Sequence, residues 1–336
     1  MRCAVLGAGS WGTALAIQLA RTNEQVRLWD HQAERAPLLQ QARENQRYMA
    51  GMRFPDTLEV TGDLVFALEG VQVLIEVVPS QTVREVMAEA ARMLPVDAAI
   101  CCASKGVETG TLMTMNEVLE EVLPPGHHPM LTFLAGPSFA KEVAQGLPTA
   151  VVVAGHNRGP ADMVSEALHG GAMRAYYTTD VVGAELGGAL KNVIAIACGV
   201  ADGMGAGQNA RAALITRGLA EITRLAVVRG ANPLTLSGLA GMGDLVLTCT
   251  GDLSRNRRVG LGLGRGQQLD AILADLGQVA EGVITARSAR DLAQREGVEM
   301  PISEEIYQML YQDKPVDAAL MALMGRARKA ERDDER

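Results

Sequence analysis

Cys3-Ala4-Val5-Leu6-Gly7-Ala8-Gly9-Ser10-Trp11-Gly12 opens the chain and decides how its first half is read. The four apolar residues read as a strand, and a helical pattern begins at about Trp11. Between them stands G-x-G-x-x-G. In that setting Gly7 permits a tight turn, Gly9 lets the backbone approach a pyrophosphate, and Gly12 lets helix and strand pack closely. The helix start then offers free N–H groups to the anion. Such a pattern means little by itself in a chain with 36 glycines. Its position, directly after a strand, gives it weight against the competing reading of a plain structural turn.

Outward from this loop, strand and helix patterns alternate. Residues 26–29 read as a second strand. Residues 71–78 form a near-continuous apolar run, as in a parallel strand buried on both faces. Helical spacing covers 82–94, and 98–103, 130–134 and 150–154 are further strand candidates. This alternation predicts a doubly wound parallel sheet. After Asp180 the β-branched runs thin out, and helices are predicted at 181–201, 211–229, 255–263, 269–276, 285–296 and 303–310. The expected architecture is an α/β Rossmann domain over 1–180 and an all-α substrate domain over 181–336. The charge-rich end, 326–336, is expected to fray.

Composition narrows the class. The chain has 336 residues and a net charge of -8, which argues against a protein that mainly binds nucleic acid or an anionic membrane. With 2 Trp, 5 Tyr and 4 Phe, an aromatic platform for single strands is not expected. The 5 cysteines form no C-x-x-C pair and read as thiols in a reducing compartment, with no zinc spacing and no metal site. The longest uncharged stretch, 122–140, is broken by prolines and reads as no membrane span. The chain enters a strand at once, so no signal peptide is read, and a cytoplasmic protein is expected.

Several side chains stand out. Trp29-Asp30-His31 closes the second strand, where ribose selection occurs. Asp30 would favour NAD by accepting from the 2′-hydroxyl. His31, with Arg27 or Arg35 nearby, would favour a 2′-phosphate. Lys191 lies in Gly187-Gly188-Ala189-Leu190-Lys191-Asn192-Val193-Ile194-Ala195. Its same-face neighbours are not acidic, so any partner must come from elsewhere or from a ligand. Desolvation there lowers an ammonium pKa, which suits a general acid or base. A structural ion pair or a snorkelling stem is the competing reading. Lys105, in Ser104-Lys105-Gly106, and Gly136-Pro137-Ser138-Phe139-Ala140 follow strands at the carboxyl edge where ligands bind. Ser138 alternatively caps the next helix. Gly243-Asp244-Leu245 puts an acid in a glycine corner. Ser254 reads as an N-cap, and Arg255 and Asn256 in its first turn make sense beneath an anion. The alternative is a basic turn paired with Asp252.

These motifs resemble the bacterial NAD(P)-dependent glycerol-3-phosphate dehydrogenases over nearly the whole chain. To the segments above the resemblance adds Asn45-Gln46-Arg47-Tyr48, Val78-Pro79-Ser80-Gln81, Gly207-Gln208-Asn209-Ala210-Arg211 and Val279-Ala280-Glu281-Gly282. It implies reduction of dihydroxyacetone phosphate to sn-glycerol 3-phosphate with NADP or NAD, supplying glycerophospholipid synthesis, with Lys191 as proton donor and acceptor. Gly7, Gly9, Ser10, Trp11, Gly12, His31 and Tyr48 would touch the cofactor, as would Lys105, Ala140, Arg255, Val279 and Glu281. Lys105, Gly136, Ser138, Lys191 and Asn192 would surround the phosphorylated substrate with Asp244, Thr248, Ser254, Arg255 and Asn256. NADPH would be preferred, as in the family. A homodimer is left open. Two positions depart from the family: Asp30, and Glu76, a strand carboxylate that needs a partner if buried. Readings from other classes are a β-hydroxyacid or sugar-phosphate-acid dehydrogenase and a non-catalytic dinucleotide sensor.

Overall fold

A computed structural model describes residues 1–327; most of the segment expected to fray lies outside the described residues. Eight strands form one sheet: β1 (Arg2–Leu6), β2 (Gln25–Trp29), β3 (Leu58–Thr61), β4 (Val73–Glu76), β5 (Ala99–Cys102), β6 (Leu131–Ala135), β7 (Thr149–Ala154) and β8 (Met173–Thr178). Their order is 3-2-1-4-5-6-7-8. All neighbours are parallel except β6 and β7, which pair antiparallel. The sheet is thus mostly parallel, as expected, with one antiparallel pair. The intervening helix, Ala140–Gln145, has six residues and rises only about 9 Å. It falls short of the sheet's depth, so the chain re-enters from the edge it left.

β3 and β8 escape a reading of the sequence because both are edge-ward strands with mixed exposure rather than apolar runs. The inner strands are mostly apolar because helices cover both faces. Val5, Ile75 and Cys101 pack with Leu15 and Leu19 of the Ser10–Ala20 helix. Ala4, Leu6, Leu74 and Ile100 pack with Met87, Val118 and Leu119 on the other side.

The second half wraps one helix, Val181–Gly203, with Gly207–Val228, Asp244–Thr250, Arg255–Gly264 and Glu281–Glu296 around it. Val181–Gly203 is long and apolar enough to cross a membrane, but 89% of its apolar window is buried inside the protein. It is a core helix. Its close packing depends on absent side chains: a Cβ at Gly260 would stand 2.0 Å from the Ile196 carbonyl oxygen, and one at Gly199 2.1 Å from that of Arg257. The predicted helices are present with shifted ends. The glycine corner at Gly243-Asp244-Leu245 is a turn of π-helix, Leu239–Gly243, that runs into a further helix, Asp244–Thr250.

Candidate active site

The glycine loop has the geometry its pattern demands. Gly7 has φ +117°, and a Cβ on it would meet the Val77 carbonyl oxygen at 2.9 Å. A Cβ on Gly12 would lie 1.8 Å from the Gly7 carbonyl oxygen. No side chain caps the helix that starts at Ser10, so its first N–H groups and its dipole fit a pyrophosphate. Ser10 Oγ donates to Gln278 Oε1 at 3.1 Å, tying the loop to the second half. Trp11 is half-buried against the core. A dinucleotide therefore fits on this backbone.

At the end of β2 the charges pair differently from the expectation. Asp30 is buried, with Arg35 Nε 2.7 Å from its Oδ2. Arg35 Nη2 donates to the Ala8 carbonyl at 2.7 Å, and its guanidinium lies 5.0 Å from the Tyr48 ring centre. His31 is 69% exposed, with Nδ1 3.5 Å from Asp30 Oδ1. Arg27 is removed from this group. Its side chain donates to the Phe66 and Glu69 carbonyls and lies over the Phe66 ring. Alternation along β2 points it there, so it cannot serve a 2′-phosphate.

Lys191 finds the acid that its own helix lacks. Its Nζ lies 3.3 Å from Asp244 Oδ1 and donates to Thr248 Oγ1 at 2.8 Å and Asn192 Oδ1 at 3.1 Å. Lys105 Nζ holds the other oxygen, Asp244 Oδ2, at 2.7 Å. Burial is the largest influence on Lys191 and lowers its pKa to about 8. Asp244 partly opposes the shift, and the Lys105 charge adds to it. The ion-pair reading and the acid–base reading thus describe the same contact.

The network continues. Asn256 Nδ2 donates to Asn192 Oδ1 at 2.9 Å, and Asn256 Oδ1 accepts from the Gly282 N–H at 2.9 Å. Ser254 caps its helix by accepting from the Arg257 N–H. Arg257 pairs with Asp202 and Asp252, so that part of the basic turn is structural. Arg255 has no carboxylate within ion-pair distance among the described residues. Burial lowers its pKa, while Glu281 and Tyr48 oppose that shift. Glu281 Oε2 accepts from Ser80 Oγ at 2.8 Å. Burial raises the Glu281 pKa against the bonds from Ser80 and the Arg255 charge.

Gly136, at φ +107°, lies against the Ala150 and Val151 backbone. Ser138 does not cap a helix. Its hydroxyl donates to the Gly136 carbonyl, and the cap position of Ala140–Gln145 is Phe139, with no side-chain bond. Pro137 beside it approaches Gly243.

Lys105, Lys191, Asn192, Asp244, Thr248 and Asn256 therefore form one connected cluster, with Arg255 and Glu281 adjoining. Gly136 and Ser138 flank it. His31 and the exposed Val279 are joined to it by no side-chain bond. Gln278 carries no local signal and was not foreseen. Among the described residues no cluster of three His, Cys, Asp or Glu is placed to hold a metal.

Two family profiles match the chain: "NAD-dependent glycerol-3-phosphate dehydrogenase N-terminus" over residues 2–161 and the corresponding "C-terminus" over 180–321. A protein from Anaeromyxobacter sp. (strain K) is 56% identical over 98% of this chain and 100% of its own length. One from Myxococcus xanthus (strain DK1622) is 53% identical over 98% and 99%. Both are called NAD(P)+ glycerol-3-phosphate dehydrogenase. The crystal structure of glycerol-3-phosphate dehydrogenase from Coxiella burnetii superposes with a TM-score of 0.93 at 42% identity, covering 97% of this chain and 99% of that one.

Proposed function

This chain belongs to the NAD-dependent glycerol-3-phosphate dehydrogenase family, an NAD(P)-dependent enzyme of that activity, and from that premise we propose how its residues divide the work. The working direction is reduction of dihydroxyacetone phosphate to sn-glycerol 3-phosphate, for glycerophospholipid synthesis. The described cysteines are free and buried, which suits a reducing cytoplasm. Residues 1–180 hold the cofactor and 181–336 most of the substrate.

The bound nicotinamide supplies a hydride; position and electrostatics come from the protein. The Gly7–Gly12 loop holds the pyrophosphate. Tyr48, Ala140, Val279 and Glu281 line the path of the dinucleotide, and His31 with Arg35 meets its ribose end. Lys105 and Asp244 hold the hydroxyl end of the substrate beside Gly136 and Ser138. Arg255, Asn256 and Ser254 hold its phosphate. The Lys191 ammonium gives a proton to the oxygen that becomes the secondary alcohol, and Asn192 and Thr248 fix the direction of Nζ. The ammonium regains its proton from solvent. One observation carries this reading: a buried lysine with a pKa brought to about 8, shared through one carboxylate with a second lysine.

The test is consumption of NADPH and NADH with dihydroxyacetone phosphate. Turnover with both is expected, NADPH being preferred because Arg35 already offsets Asp30. A tenfold advantage for NADH, about 1.4 kcal/mol, overturns the cofactor assignment. Turnover only with a keto-acid overturns the substrate assignment.

A further inference from the structure

Glu76 ends β4 with its side chain fully buried. The strand register places it beside Leu6 of β1 and Cys102 of β5, at the carboxyl edge of the sheet. Its oxygens are surrounded by short polar contacts. The Val78 N–H donates to Oε1 at 2.8 Å. Ser104 Oγ lies 2.8 Å from Oε1, and Cys102 Sγ lies 3.0 Å from Oε2.

Counting protons shows what these contacts need. Ser104 Oγ also lies 2.5 Å from the Val78 carbonyl oxygen, and Cys102 Sγ 3.8 Å from that of Ser104. Hydroxyl and thiol have one proton each, and carbonyls only accept. Two protons thus serve four contacts if Glu76 is ionised. A proton on Glu76 lets Ser104 donate to Val78 while accepting from the carboxyl. We propose that Glu76 works as a neutral carboxylic acid, a positioning residue that holds the Ser104-Lys105-Gly106 turn so that Lys105 meets the substrate.

The surroundings agree. Burial pushes the Glu76 pKa up to about 7; bonds from Cys102, Val78 and Ser104 oppose the shift, and the Glu281 carboxyl adds to it. From β5, Cys101 is pushed up to about 12, and Cys102 rises well above its usual value, both chiefly by burial. From the core helix Val181–Gly203, Glu185 is itself pushed up to about 8, again by burial. None of these neighbours offers Glu76 a positive charge, and Glu281 opposes its ionisation. The turn it holds has no slack, because a Cβ on Gly106 would lie 2.5 Å from Ser80 Oγ. Lys105 then reaches Asp244 Oδ2 at 2.7 Å. Once Glu76 ionises, Ser104 must give its proton to the carboxylate and release Val78. The new charge under the turn also competes with Asp244 for Lys105.

This proposal rests on Lys105 holding the substrate, and the experiment separates the two claims. KM for dihydroxyacetone phosphate and kcat are measured at saturating NADPH from pH 6 to 8.5 for the full-length enzyme, Glu76→Gln, Glu76→Ala and Lys105→Ala. The ratio of wild-type to variant KM cancels the titration of the substrate phosphate, whose second pKa is about 6. That ratio is expected to rise at least threefold across the range for both Glu76 variants. A flat ratio overturns the proposal. Should Glu76→Gln fail to fold, Glu76→Ala decides alone. If Lys105→Ala leaves KM unchanged, the reading of Lys105 fails whatever Glu76 does.

Discussion

In the role proposed for it, Lys191 becomes a proton donor through what packs over it, since its own helix supplies no acid. The sequence made its isolation legible, because Gly187, Gly188, Ile194 and Ala195 cannot pair with it. Its partner Asp244 was legible only as an acid in a glycine corner, because nothing local says which helix will cross. Side-chain direction was the other blind spot: Arg27 was a plausible ligand by position, and its side chain points elsewhere. Lys191→Ala should lower kcat at least 10²-fold, the lower range for general acid catalysis. Lys191→Arg should not restore it, since a guanidinium does not release its proton at neutral pH. Reduction needs the ammonium, so its kcat should stay level below about pH 8 and fall above it, while oxidation of glycerol 3-phosphate follows the opposite limb. A reduction rate that holds level to pH 9.5 would remove Lys191 from the proton transfer. Arg255 is the cation of its turn with no carboxylate at ion-pair distance, so Arg255→Ala should cost about 2–4 kcal/mol in kcat/KM, as for a truncated buried charge pair. Unphosphorylated dihydroxyacetone is the control. If Arg255→Ala harms both substrates equally, its partner is not the phosphate.

At the scale of elements, the glycine loop and inner strands were legible because each obeys one local rule: a turn with no room for Cβ, or a strand covered on both faces. The seam between Val181–Gly203 and Arg255–Gly264 was not. Its glycines read as corners or weak helix positions, and their use appears only when two helices cross at backbone contact. A methyl group at Gly260 meets the Ile196 carbonyl, so one helix must move. Gly260→Ala should destabilise the protein by about 1–3 kcal/mol, the range for overpacking. The readout is a lower denaturant midpoint with unchanged slope. Gly159→Ala is the contrast: it lies in the Arg158–Leu168 helix with nothing within 4 Å of its Cβ. It should be neutral or gain up to about 1 kcal/mol. Equal effects from the two substitutions would show that the crossing tolerates a methyl group.

Across the whole molecule, the change from strand–helix alternation to helices alone was legible near Asp180, whereas contacts that span the chain, such as Lys105 with Asp244, were not. Of three carboxyl groups whose surroundings are largely desolvated, only Glu76 was marked by its sequence; Glu185 and Glu221 were not. Burial raises Glu76 to about 7, Glu185 to about 8 and Glu221 to about 7, from an ordinary value of 4.5. Glu221 accepts from the Ile302 and Ser303 N–H groups and so caps the Pro301–Tyr311 helix from a neighbouring one. Each group binds its proton more tightly folded than unfolded. Between pH 4.5 and the folded value the native state therefore holds more protons, and stability falls as pH rises. The loss is at most about 1.4 kcal/mol per pH unit for one fully responsive group. Glu108, held below its usual value chiefly by Arg84, works in the opposite sense, but only below about pH 4.5. Lys191, lowered by burial, adds stability with rising pH only above about 8. From pH 5 to 7.5 the raised carboxyls thus dominate among these groups, and the unfolding temperature should drop over that window. Glu221→Gln keeps an acceptor for the helix start and removes the titration, so its unfolding temperature should depend less on pH than that of the wild type. Thermal unfolding at pH 5, 6 and 7.5 decides it: a melting temperature that climbs over this window, or a Glu221→Gln slope equal to the wild type's, would mean that these carboxyls are charged in the fold.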